Sequence, residues 1–447
     1  MEQRELANSI LEELHQVDFL DGHTHLVNGR LGARGLHDIL LYHMVVSDLY
    51  AAGCPSGARL SQFPNWATKE EATQRIEEAL PYLKYIQGTH CFWMVKTILK
   101  DLYNWTEPIT ARTWKKLDGI IRERADDRAW QRSVLKKARI KRACTEWARR
   151  GEGADDDILQ YSLEWAFHTR CQWGEYDTAL YELETTWGHA PKSPSPIGGV
   201  RPKPDREINT LDDVHAAVNW YVENIPWGKV LSTATHYSTD IDYTPVTKEE
   251  MSAALKRRGT AGTRERDIYA SYVNRAILDV MAPHAGQFMY QFSLAAEPLP
   301  FETSSRVKQE TLSQLANMIA AYPKMKFQIH VSSKHANQTL SSFCRELPNL
   351  SLAGYWWHNF YTDGIRQIFS ERMDMLPTNQ QLGFFSDAYC VEWTYAKATM
   401  VRRQQAEVLA LKVAQGQVTR EEAVNFVKAT CYDMTHDVCG MRPSAAL

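Results

Sequence analysis

His23 and His25, in the stretch FLDGHTHL (residues 19–26), are two imidazoles one residue apart. Alternate side chains of a strand point to the same side, so both rings can aim at one point with about 7 Å of backbone between them. Neutral imidazole is the commonest side-chain metal ligand near neutral pH. An isolated His-x-His is more often a surface pair than a metal site. The flanks favour the metal reading here. VDFLD reads as a short apolar strand, and Gly22 with the two histidines stands where that strand ends. A catalytic ion there would need another ligand and an open coordination position.

The elements that could supply it follow from the hydropathy pattern. LHDILLYHMVVSDLYAAG has apolar residues at helical spacing, closes on Gly53 and carries His43. Residues from about 58 to 138, rich in Lys, Arg, Glu, Ala and Trp, read as a helical insertion. Residues 188–210 are dense in Pro and Gly and read as an extended loop. In the second half, apolar strands at KVLSTA (229–234), QFMYQFSL (287–294), MKFQIHV (325–331), LSLAGYW (350–356) and QLGFFSD (381–387) alternate with helical patterns. With VDFLD, IKRACTEWA (140–148) and a weaker strand near YDTALYELE (176–184), the count reaches eight. Strand–helix alternation at this spacing predicts an α/β protein: a (β/α)8 TIM-like barrel with a helical insertion after strand 1, as a single domain over residues 1–447. Such barrels gather their chemistry at the C-terminal ends of the strands. The polar residues expected there are His23 and His25, His236, Ser293 with Glu297, His330, Trp357 with His358, and Asp387. Strands 1 and 8 would be neighbours on closure, which brings His23, His25 and Asp387 together as a three-ligand set.

Bulk properties exclude other classes. A net charge of −3 and a pI near 6.6 provide no basic field for nucleic acid or an anionic membrane. No run approaches 18 apolar residues, and the charged amphipathic N-terminus lacks a secretory core, so a cytoplasmic enzyme is expected. The eight cysteines include no CxxC. CYDMTHDVC (431–439), with His436 inside, reads as a terminal helix with buried thiols rather than a zinc site. There is no Walker loop or GxGxxG.

Together, DGHTHL after the first strand and FFSDAY on the last resemble the amidohydrolase superfamily of metal-dependent barrels. More specifically, the chain resembles the glucuronate (uronate) isomerase family. That family carries D-x-H-x-H-L, a histidine-bearing helix, a long helical insertion, a Trp-Trp pair on strand 7 and D-S-R on strand 8. DGHTHL, LLYHMVVSDLYAAG, GTHCFWMVKTIL, YWWHNFYTDGIRQIF and FFSDAYCVEWTYAKATMVRRQ follow in that order here. Tyr389 replaces the family's strand 8 arginine, MVVSDL follows His43 where the family has another, and Ser293 stands for its strand 5 histidine. Tyr cannot reproduce a bidentate guanidinium–carboxylate pair. The chain is identified as a divergent member.

The resemblance implies interconversion of an aldose and a ketose sugar acid, such as glucuronate and fructuronate, through an enediol. It implies one divalent ion on His23, His25 and Asp387: zinc by default, with manganese or cobalt also suited to the donors. Asp387, Tyr389, His43, His330 and His358 are then candidate proton carriers. Trp356, Trp357 and His236 would line the substrate, one Trp ring in the core and the other on the sugar. The expected partner is a small-molecule sugar acid, with neither nucleic acid nor membrane, and a homo-oligomer is compatible with this. A metal-dependent hydrolase or lyase on a similar substrate is the alternative, since a metal-bound water could lose its proton to Asp387.

Overall fold

The computed structural model describes residues 3–57, 68–146, 149, 153, 155–164, 172–173, 176–189, 203–224, 230–234, 243–294 and 308–445. The chain is a mixed α/β fold with parallel sheets, divided into two compact units. The first comprises residues 1–145, 149–160 and 354–447, the second 146–148 and 161–353.

In the first unit β1 (Phe19–Thr24) pairs in parallel with β2 (Ile140–Glu146), from Phe19 opposite Ile140 to Thr24 opposite Thr145. The other edge of β1 is bonded to the segment 384–388. Gly22 N–H donates to Phe384 O (3.3 Å), Asp387 N–H to His23 O (2.9 Å) and His25 N–H to Ala388 O (2.9 Å). Gly22 is needed because a Cβ there would lie 2.6 Å from the Phe385 ring. This seam brings the His-x-His and Asp387 side by side.

Four helices frame the seam: α1 (Gln3–Leu14), α2 (His43–Ala51), α3 (His90–Tyr103) and α4 (Val391–Ala414). The pattern over residues 36–53 is not one helix but two, Leu36–Leu40 and α2, because Tyr42 is extended (φ −61°, ψ 141°). That break puts His43 in the first turn of α2. α4 is buried along most of its length and carries Glu392, Lys397 and Arg402 into the interior. Each has partners: Arg402 donates to Leu14 O and Val17 O, both at 3.1 Å, and Tyr103 Oη donates to Glu392 Oε1 at 2.7 Å. Between β1 and β2, beyond α2, run Lys69–Ala79, α3, Trp114–Arg122 and Arg128–Lys137, in the stretch expected to be helical. Residues 58–67 of that stretch lie outside the described residues.

The second unit holds a parallel sheet in the order β3 (Leu159–Glu164, from Tyr161 onward), β4 (Val230–Ala234), β5 (Met289–Leu294), β6 (Lys326–Val331) and β7 (Leu350–Ala353). Strand alternation separates its two faces. Tyr290, Phe292, Phe327 and Ile329 share one face, while Gln291, Ser293, Gln328 and His330 share the other, all buried.

One expected strand is corrected. Residues 176–184 are not the third strand. Only Tyr176–Asp177 is extended, in a two-residue antiparallel ladder with Gln172–Trp173, and a helix follows over Thr178–Thr186. TALYELE consists largely of helix formers; buried Ala179, Tyr181 and Leu183 alternate as in a strand, while buried Ala179, Leu180 and Leu183 stand at helical spacing. β3 takes the place instead. Strand 8, expected over 381–387, is regular only at Gln381–Leu382. Near the C-terminus Cys431 and Cys439 are buried thiols, while His436 pairs with Asp437 at 2.8 Å.

Candidate metal centre

His23 lies on the same face of β1 as Asp21, and His25 continues that alternation just past the strand end. Asp387 comes from the segment bonded to the free edge of β1. Its φ is +50°, a left-handed conformation that Asp enters more readily than most residues. Asp387 Oδ1 is 3.1 Å from His25 Nε2 and 3.5 Å from His23 Nε2. Oδ2 is 3.3 Å from His43 Nε2 and 3.9 Å from Lys397 Nζ. Three imidazoles and one ammonium thus surround a carboxylate that is 2% exposed.

The supports come from α4 and the break before α2. Tyr42 Oη donates to Asp387 O at 2.5 Å and accepts from Lys397 Nζ at 2.7 Å. Asp21 Oδ1 accepts from Ser386 N–H at 2.8 Å, fixing the residue before Asp387.

The electrostatics follow from burial and charge. Burial pushes the Asp387 carboxyl up, but the imidazoles of His23, His25 and His43 and the ammonium of Lys397 hold it well below the usual carboxylate range. Burial lowers His43 against the opposing pull of Asp387. Burial also brings Lys397 down to about 8, although Asp387 pulls it upward.

This donor set fits a divalent ion. Ligand atoms of His23, His25 and Asp387 all lie within 4.8 Å of one another. Two donors about 2.1 Å from one ion, at roughly tetrahedral to octahedral angles, stand about 3.0–3.4 Å apart. His43 Nε2 and Asp387 Oδ2 are buried without a hydrogen-bond partner, their 3.3 Å approach lacking hydrogen-bond angles. A cation held by His23, His25 and Asp387 Oδ1 would leave Oδ2 and His43 Nε2 to share a proton.

Around the cluster, Tyr389 stacks on His25 with ring centres 4.6 Å apart. Trp357 lies 4.8 Å from His43, and Trp356 is buried edge-on to Trp357 at 6.2 Å. His330 belongs to the second unit, fully buried in β6, where its Nε2 contacts Ser293 Oγ. His236 and Glu297 lie outside the described residues, as does the side chain of His358. Tyr42 and Lys397 were not singled out from the sequence.

A His-x-His and an aspartate on adjacent segments of an α/β fold with parallel strands define a candidate metal centre. No family model and no curated protein matches the chain. Among solved structures it shares its fold with uronate isomerase from Thermotoga maritima (13% identity, 97% of each chain covered, TM-score 0.74). It also shares it with uronate isomerase from Bacillus halodurans (17% identity, 99% and 98% covered, TM-score 0.68). A third is glucuronate isomerase from Caulobacter crescentus (13% identity, 99% and 95% covered, TM-score 0.74). At these identities the likeness is one of fold.

Proposed function

We propose that this protein is a metal-dependent isomerase that interconverts an aldose and a ketose sugar acid, with glucuronate and fructuronate as the type pair, on a (β/α)8 framework. One observation carries the reading: three imidazoles converge within 3.5 Å of a single buried carboxylate, on a fold shared with uronate isomerases. His23, His25 and Asp387 would hold one divalent ion, zinc by default. When bound it would act as a Lewis acid toward a substrate carbonyl or hydroxyl oxygen.

Aldose–ketose interconversion moves one proton between adjacent carbons and one between their oxygens, through an enediol. His43, kept neutral by burial, can take up a proton at Nε2. Asp387 Oδ2, 3.3 Å away, is placed to exchange that proton with it. Trp357 and Tyr389 offer aromatic faces beside His43 and His25 against which a sugar can pack. Tyr42 and Lys397 hold Asp387 from behind.

The test is chelation followed by addition of zinc, manganese or cobalt, with turnover assayed on uronates and related sugar acids. Activity should vanish with the metal and return near one ion per chain. Turnover that ignores chelation would refute the reading. The hydrolase or lyase alternative draws on the same cluster and differs in its product, which for a hydrolase has gained water.

A further inference from the structure

His25 is the outermost of the three candidate ligands. It follows the last residue of β1, and its side chain is 14% exposed against 7% for His23 and 2% for Asp387. A ligand at that position must still aim Nε2 at one point. The outer torsion of an imidazole is broad and roughly two-fold, so the backbone alone does not set the plane of the ring. Packing has to set it.

That packing comes from Tyr389. Its ring stacks on the His25 imidazole, with centres 4.6 Å apart and planes inclined by 24°. The same ring meets His43 edge-on at 5.8 Å and 73°, and Tyr42 at 6.0 Å and 66°. At these separations aromatic rings attract one another beyond the effect of buried area. One side chain thus touches a candidate ligand, the imidazole facing Asp387 Oδ2, and the tyrosine that donates to Asp387 O. Tyr389 is itself placed by the segment that carries Asp387. His25 N–H donates to Ala388 O at 2.9 Å, and Thr24 Oγ1 donates to the same oxygen at 3.0 Å. Ser386 Oγ donates to Thr24 Oγ1 at 2.9 Å and accepts from Ala388 N–H at 3.3 Å. The peptide that precedes Tyr389 is therefore bonded directly to His25. The Tyr389 side chain is 39% exposed, so little of it serves the core while its ring lies on the cluster.

We propose that Tyr389 is a positioning residue of the metal centre: its ring sets the plane of the His25 imidazole so that Nε2 stays on the ion, and braces His43 beside it. This rests on the reading of His23, His25 and Asp387 as metal ligands. It goes further by making metal affinity depend on an aromatic ring that donates nothing to the ion. Losing a group that orients a ligand imidazole typically costs about 10–100-fold in metal affinity.

The experiment measures zinc affinity of the full chain, stripped by a chelator and titrated in competition with a chromophoric chelator. The visible spectrum of the cobalt(II) form is recorded alongside, because its bands follow ligand geometry and a merely structural role would leave them unchanged. Wild type is compared with Tyr389→Phe, Tyr389→Leu and Tyr389→Gln, with melting of each stripped protein followed. Tyr389→Phe keeps the ring and should bind zinc within about threefold of wild type, with the same cobalt spectrum. Tyr389→Leu should weaken zinc binding by about 10–100-fold and shift the cobalt bands. Tyr389→Gln removes the ring in favour of a polar side chain, and keeps the test decisive if Tyr389→Leu does not fold. Folded Leu and Gln variants that hold zinc as tightly as wild type would overturn the proposal and leave the metal reading intact. A loss in Tyr389→Phe as large as in Tyr389→Leu would assign the effect to the hydroxyl and overturn it too. A wild type that takes up no zinc would remove the metal reading and the proposal with it.

Discussion

Asp387→Asn separates the charge of this side chain from its packing. Asn keeps the size and one oxygen, and it tolerates the left-handed φ of +50° at least as well as Asp. What disappears is the negative charge among His23, His25, His43 and Lys397. Removing one partner of a buried ion pair typically costs about 3–5 kcal/mol. Here the loss is capped, because burial has already drawn Lys397 down to about 8. Without Asp387, Lys397 sheds its proton at still lower pH instead of remaining an isolated buried cation. We therefore expect a stability loss of about 1–3 kcal/mol. Metal content should fall when metal is stoichiometric and recover when metal is in excess. Turnover of the metal-loaded variant should drop by about 10²–10⁴, the usual range for a lost general acid–base. Metal content, melting temperature and turnover are measured on one sample. A stable, metal-loaded variant with near-normal turnover would refute the role assigned to Asp387.

Three other perturbations probe the supports. Burial pushes Asp21 from 3.8 up to about 7, so between those values the folded chain holds a proton that the unfolded chain has released, and stability falls as pH rises across that window. In chelated protein, the stability of Asp21→Asn relative to wild type should therefore improve by about 2–3 kcal/mol from pH 5 to pH 8, and a pH-independent difference would contradict this. Tyr42→Phe strips a partner from both Lys397 Nζ and Asp387 O and should cost about 2 kcal/mol, read by denaturant unfolding; an unchanged midpoint would count against the clamp. Gly22→Ala drives a methyl to 2.6 Å from the Phe385 ring and should cost about 1–3 kcal/mol, checked by thermal melting, with an unshifted melting temperature ruling out the close approach.

The candidate cluster could be read from the sequence because His23 and His25 close one short strand and Asp387 lies on the segment bonded beside it, where the hydropathy pattern ends both runs. β5 and β6 were equally plain, being apolar runs buried throughout most of their length. TALYELE misled because its apolar residues satisfy two periods, and only packing selects the helix. The break at Tyr42 carries neither Gly nor Pro, so one long helix was the natural reading of residues 36–53. Lys397 was hidden for a different reason. α4 is buried along most of its length, with Arg403, Glu407 and Leu411 on its exposed face, so Lys397 reads as one more charge on an amphipathic helix, and its partner Tyr42 lies 355 positions away.

The central claim is most directly tested by following glucuronate with the metal-replete protein by ¹H NMR and mass spectrometry in one time course. The account predicts a ketose of unchanged elemental formula, formed only with metal present and lost in Asp387→Asn. A product that has gained water, or an aldose left untouched by a fully metal-loaded protein, would contradict it.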